Sequence, residues 1–153
     1  MSENRSEIKS EVVMDAGAGT RSVVVEKEFA HPPEKVWRAL TQGDLIVQWL
    51  MENDFQPVVG RAFRFRADPV PGWDGVIDCE VLVAEPYGRL SYRWGTMGMG
   101  TVVAWTLTPT PGGTLVRMEQ SGFGAGQEAN YKGATYGWRK FFGGLERVVG
   151  EIL

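Results

Sequence analysis

The chain has 153 residues, enough for one domain and too few for two full cores. Hydrophobic residues make up 43% and can fill such a core, while a net charge of −3 suits a phosphate backbone poorly, so no nucleic acid partner is expected. One cysteine, Cys79, and one histidine, His31, exclude an internal disulfide, a Cys-rich metal site and a multi-His zinc site.

Residues 1–20 are polar, with glycines at the end, and read as a disordered N-terminal tail. Their acidic residues, Glu3, Glu7, Glu11 and Asp15, are foreign to a secretory leader. No apolar run reaches the ~18 residues of a membrane span. A cytoplasmic chain with no membrane insertion is expected.

The folded domain is expected over 21–153. Arg21 to Ala30 alternates Val23, Val25, Lys27 and Phe29 against Ser22, Val24, Glu26 and Glu28, a strand with an imperfect apolar face. His31-Pro32-Pro33 ends it and opens a helix carrying Val36, Trp37, Ala39 and Leu40. Gly43-Asp44 starts a second, short helix with Leu45, Ile46, Trp49 and Leu50 on one side. The period then becomes two. Strands are expected at Phe55–Val59, Arg61–Ala67, Val76–Ala84, around Leu90, Tyr92 and Trp94, at Thr101–Thr108 and at Thr114–Ser121. Turn-rich stretches at 68–72, 86–88 and 109–113 separate them. The last segment, about Gln127 to Ile152, repeats apolar residues at three and four and predicts one long amphipathic helix.

This order sets the fold class as α+β. Seven antiparallel strands with one apolar face need a cover, and the C-terminal helix is the only long one available. The sheet must curve around it, and the space between is either packed solid or left as a pocket.

The chain has six tryptophans, four tyrosines and seven phenylalanines. The inward register holds Phe63, Phe65, Tyr92, Trp94, Trp105, Tyr131, Trp138 and Phe142. Such rings build either a packed core or the wall of a ligand pocket. Trp49, Cys79 and Met118 join them as candidate lining. If Val116 and Met118 face inward, Gln120 does too, and a buried amide needs a partner, whether protein or ligand. Tyr92 and the indole N–H groups of Trp94 and Trp105 are further polar candidates.

Five glycines interrupt the long helix: Gly133, Gly137, Gly143, Gly144 and Gly150. Each costs about 0.5–1 kcal/mol relative to alanine, so packing must hold the helix. The stripe Gly133, Gly137, Gly144 is expected to mark close approach to a strand or loop. A bend at Gly143-Gly144 that opens the interior is the alternative. Gly122 to Gly126 lacks the third glycine of a dinucleotide loop and has no following strand, so nucleotide binding is not expected there. His31 reads as a turn residue and Cys79 as a small apolar filler. The carboxylates Asp78 and Glu80 alternate onto the outer face. No catalytic residue, metal or cofactor is assigned.

A resemblance adds to this. Pro33-x-x-Val36-Trp37-x-Ala39-Leu40 with Gln48-Trp49, Val59-Gly60-Arg61-x-Phe63-Arg64-Phe65 and Gly75-Val76 open the pattern. Glu85-Pro86-x-x-Arg89-Leu90-Ser91-Tyr92-x-Trp94 and Trp105-x-Leu107-Thr108-Pro109 follow, then Gly112-Gly113-Thr114, Ser121-Gly122-Phe123 and Gly137-Trp138 with Leu145. In this order and spacing they resemble the Hsp90-ATPase-activator-homologue family, from about Val24 to Leu153. The resemblance implies the helix-grip fold of the START and Bet v 1-like (SRPBCC) superfamily, with a hydrophobic cavity between sheet and helix. It implies binding of a small hydrophobic molecule without catalysis. Two alternatives stay open: a protein-interaction module with a chaperone partner and a place in the stress response, and an enzyme of cyclase or hydratase type.

Overall fold

The computed structural model describes residues 7–14, 19–96 and 98–153. Its elements are β1 (Lys9–Met14), β2 (Arg21–Phe29), α1 (Pro33–Thr41), α2 (Gly43–Ile46), β3 (Glu52–Asn53), β4 (Ala62–Arg66), β5 (Val76–Glu85), β6 (Arg89–Thr96), β7 (Met99–Thr110), β8 (Gly113–Phe123) and α3 (Glu128–Glu151). The strands form one eight-stranded sheet in the order β1-β2-β8-β7-β6-β5-β4-β3, antiparallel at every pairing. Together with α3 this is the expected α+β helix-grip architecture.

Three local differences from the sequence reading have physical causes. Lys9–Met14, expected within a disordered tail, is an edge strand paired with β2; with Glu52–Asn53 paired to β4 in place of the expected strand at Phe55–Val59, the sheet has eight strands rather than seven. The rest of that tail, 1–6 and 15–18, lies outside the described residues. Phe55–Val59 is not a strand. Pro57 has no N–H to give a ladder, and the Phe55 N–H donates instead to Asn53 Oδ1 at 3.1 Å. The Phe55 ring still enters the core, while Val58 and Val59 stay exposed. The third difference is a bulge in β5. The pairing shifts between Val81 and Val83, which turns Ala84 toward the core in place of Val83.

The inner face is built by the period-two residues of the strands. Phe63 and Phe65, Ile77 to Val81, Tyr92 and Trp94, Val103 to Leu107 and Val116 to Gln120 are buried at alternate positions. The outer face is charged and paired, as in Arg64–Asp78 at 2.7 Å and Arg93–Glu80 at 3.6 Å. Helix α3 packs Phe142, Leu145, Val148 and Val149 against this inner face. Arg139 donates to the Ile8 carbonyl at 3.2 Å and to Ser10 Oγ at 3.0 Å, and Lys27 pairs with Glu146; these tie the helix to β1 and β2. Trp49, which follows α2, donates its indole N–H to the Ala39 carbonyl at 2.9 Å and meets Trp105 edge-on.

The long helix is unbroken across Gly143-Gly144. The glycine stripe divides in two. A methyl at Gly144 would meet Trp49 Cβ at 3.3 Å, the expected close approach. A methyl at Gly133 or Gly137 would find no atom within 4 Å. Those two positions face open space, and the close-approach expectation fails there.

Candidate functional site

The interior has two regions. Toward β4 and the middle of the sheet, the rings are packed. Phe55, Phe63, Phe65 and Tyr92 contact one another mostly edge to face, with centroids 4.9–6.2 Å apart. Trp105 stacks on Phe142 at 5.5 Å and donates its indole N–H to Tyr92 Oη at 3.1 Å. This is a filled aromatic core.

Beside it, under the first half of α3, lies a cavity of about 300 Å³. The sheet supplies Ile77, Trp94, Thr96, Met99, Gln120 and Phe123 to its wall. The helix supplies Ala129, Asn130, Gly133, Ala134, Gly137, Trp138 and Phe141. Met51 and Trp73 complete it. Small residues on the helix face large ones on the sheet, and that mismatch is what leaves the volume.

Trp73 is placed by the β4–β5 connection. A bridge between Val70 and Trp73 closes a tight turn, and the indole N–H donates to Thr96 Oγ1 at 2.7 Å. Thr96 Oγ1 in turn donates a hydrogen bond to the Val76 carbonyl at 3.0 Å. Gly75, at φ +81°, must be glycine, because a Cβ there would lie 2.2 Å from the Ala67 carbonyl oxygen.

Gln120 is buried and its orientation is fixed by chemistry. The Trp138 indole can only donate, and it does so to Gln120 Oε1 at 2.8 Å. Gln120 Nε2 donates to Thr101 Oγ1 at 2.9 Å, and Thr101 donates to the Trp94 carbonyl at 2.9 Å. The partners of this amide are therefore protein groups. One N–H of Gln120 and the indole N–H of Trp94 have no acceptor among the described residues.

Of the residues singled out from sequence, Trp94, Gln120 and Trp138 line the cavity. Phe63, Phe65, Cys79, Tyr92, Trp105, Met118 and Phe142 sit in the packed core, as does Trp49. Tyr131 is buried against Phe123 and accepts a hydrogen bond from Arg21 at 2.9 Å. Missed as lining were Met51, Trp73, Met99 and Phe123, which come from loops and strand ends where no period marks a face, and Asn130 in the first turn of α3. Gly133 and Gly137 were visible as a stripe, but their meaning depends on what stands opposite.

The cavity wall carries no ionisable side chain among the described residues. Burial pushes the Cys79 thiol up from its ordinary value, reinforced by the Asp78 and Asp54 charges. Burial pushes the Tyr92 phenol up too, against the opposing hydrogen bond from Trp105. Both are held protonated and lie off the cavity, as suits packing rather than nucleophilic or base chemistry. His31 sits at the turn before α1, where its carbonyl accepts from Thr114 Oγ1 at 2.7 Å.

With this geometry in place, likeness to other proteins can be weighed. The family described as Activator of Hsp90 ATPase homolog 1-like protein matches residues 30–150. The chain belongs to this family. The crystal structure of protein MLL2253 from Mesorhizobium loti is 51% identical, covers 87% of this chain and 100% of its own, and superposes with a TM-score of 0.81. CalU16 from Micromonospora echinospora is 20% identical over 95% of this chain and 87% of its own, with a TM-score of 0.78, a likeness of fold alone. DynU16, a protein of the dynemicin biosynthetic locus, is 26% identical over 85% of this chain and 47% of its own, with a TM-score of 0.74. No curated protein matches the sequence. Among the described residues no helix is long and apolar enough to cross a membrane. The helix-grip fold of this family is in general that of a ligand-binding domain.

Proposed function

We propose that this protein binds a small, largely apolar molecule in the cavity between the sheet and α3, without covalent chemistry. The observation that carries this reading is the cavity itself: about 300 Å³, walled by Trp73, Trp94, Phe123, Trp138 and Phe141, with no ionisable side chain in the wall among the described residues. A solid interior would have favoured a surface-acting module. A carboxylate or histidine in the wall would have favoured acid–base catalysis. A concave apolar site with a few polar groups is the usual form of a small-molecule site.

Native mass spectrometry of the protein purified from its own host tests this. The wild type should carry a non-covalent mass that is lost from the Gly133→Leu/Gly137→Leu variant, in which two side chains fill the cavity. An intact mass equal to the bare chain in both proteins would count against the reading.

A further inference from the structure

We propose that the cavity selects a neutral ligand bearing a carbonyl-type acceptor oxygen, which receives the spare N–H of Gln120 and the indole N–H of Trp94. This rests on the reading of the cavity as a ligand site and adds the chemistry that site would recognise.

On the sheet side of the wall, two N–H donors are left over from the hydrogen bonds made there. Gln120 is 3% exposed and its oxygen is already held by Trp138. Its amide nitrogen has two hydrogens and gives one to Thr101, leaving one with no acceptor among the described residues. Trp94 is 7% exposed, and its indole nitrogen has no acceptor among the described residues either. Thr96 Oγ1 accepts from the Trp73 indole and donates to the Val76 carbonyl, so it has no hydrogen left to offer. Gln120 and Trp94, both in the cavity wall, therefore each keep one donor unused among the described residues. An acceptor oxygen in the cavity would give each of them a partner.

The missing charge narrows the class further. No lysine, arginine or histidine stands in the wall among the described residues. A carboxylate would enter without a counter-charge, which is costly in an apolar site. A ketone, ester or amide oxygen needs only donors, which is what the wall supplies. Asn130, on the helix side, can both give and accept, so it does not discriminate.

The test uses three probes of one shape: α-tetralone, tetralin and the tetralin-carboxylate anion. Dissociation constants are read from the tryptophan indole N–H resonances in an NMR titration of the full chain. The quantity of interest is the tetralin constant divided by the α-tetralone constant, compared between wild type and the variants Trp94→Phe and Gln120→Met. The comparison cancels the cost of desolvating the ketone and most of the packing change. Each variant should lower the ratio roughly fivefold, the worth of one net hydrogen bond. Trp94→Phe decides the matter alone if Gln120→Met fails to fold, since the indole N–H it removes has no partner among the described residues.

A ratio unchanged in Trp94→Phe, with tetralin still bound, would overturn the acceptor proposal and leave the apolar site standing. Tighter binding of the carboxylate than of the ketone would also overturn it. If neither tetralin nor the ketone moved any cavity resonance, this proposal and the ligand-site reading would fall together.

Discussion

The three central glycines of α3 make a sharp experiment, because the same substitution meets three surroundings. Alanine for glycine inside a helix is worth about 0.8–1 kcal/mol from propensity alone. At Gly143 a new methyl finds nothing within 4 Å and the site is exposed, so Gly143→Ala should gain nearly all of this. For a chain of this length that is about 2–4 °C in Tm. At Gly144 the methyl would stand 3.3 Å from Trp49 Cβ and 3.5 Å from Trp49 Cα. Trp49 is poorly placed to retreat, held by its bond to Ala39 at 2.9 Å and by Trp105 at 5.7 Å. Gly144→Ala should therefore gain nothing, with a Tm at or below wild type. At Gly137 the methyl enters the cavity without touching its far wall. Gly137→Ala should match Gly143→Ala in stability and, unlike it, weaken tetralin binding. Thermal unfolding followed by circular dichroism gives the first comparison and the NMR titration the second. A Tm gain at Gly144 equal to that at Gly143 would refute the tight packing of α3 on Trp49.

Two further outcomes follow from burial. Trp105, 1% exposed and in contact with Trp49, Trp138 and Phe142, should cost about 3–5 kcal/mol when changed to alanine, read from urea midpoints. Tyr136→Ala, at a site 76% exposed, should stay within about 0.5 kcal/mol of wild type. The third prediction concerns alkaline pH. Cys79 and Tyr92 titrate higher in the fold than in the unfolded chain, so the folded protein keeps protons that the unfolded chain releases above about pH 9. Stability is full below that pH and falls as the pH rises. The double variant Cys79→Ala/Tyr92→Phe should lose less between about pH 9 and pH 11 than wild type does; parallel curves would contradict the assigned burial.

Much of the sheet was legible because, within the strands from Phe63 to Gln120, its inner face is mostly two-periodic and its outer face is charged. The exceptions lie where backbone chemistry overrides the pattern. Pro57 denies a ladder to a run that reads as a strand, and the bulge near Leu82 exchanges the faces of Val83 and Ala84. Lys9–Met14 offers no clear alternation and gains its strand only from the partner edge of β2. The candidate site was less legible for a different reason. Sequence shows which rings point inward, but a ring lines a void only if nothing large stands across from it. That is a property of pairs distant in the chain, such as Trp94 and Gly137. Trp105 and Trp94 read alike in sequence; both meet Trp138, but Trp105 is also covered by Phe142, while Trp94 shares the cavity wall with the small residues of the helix.

That contrast locates the division of labour in α3. Its second half carries Phe142, Leu145, Val148 and Val149, and with them the burial that holds the sheet closed. Its first half sets Gly133, Ala134 and Gly137 along the cavity between the buried rings of Tyr131 and Trp138. The two halves share one continuous backbone, so the packed half fixes the height at which the open half stands above the sheet. Cavity volume is then set by side chains absent from the helix rather than by any movement of it. Enlarging Gly133 or Gly137 should shrink the space with no loss of fold, because the new atoms displace only void. Enlarging Gly144 should strain the fold and leave the space as it was.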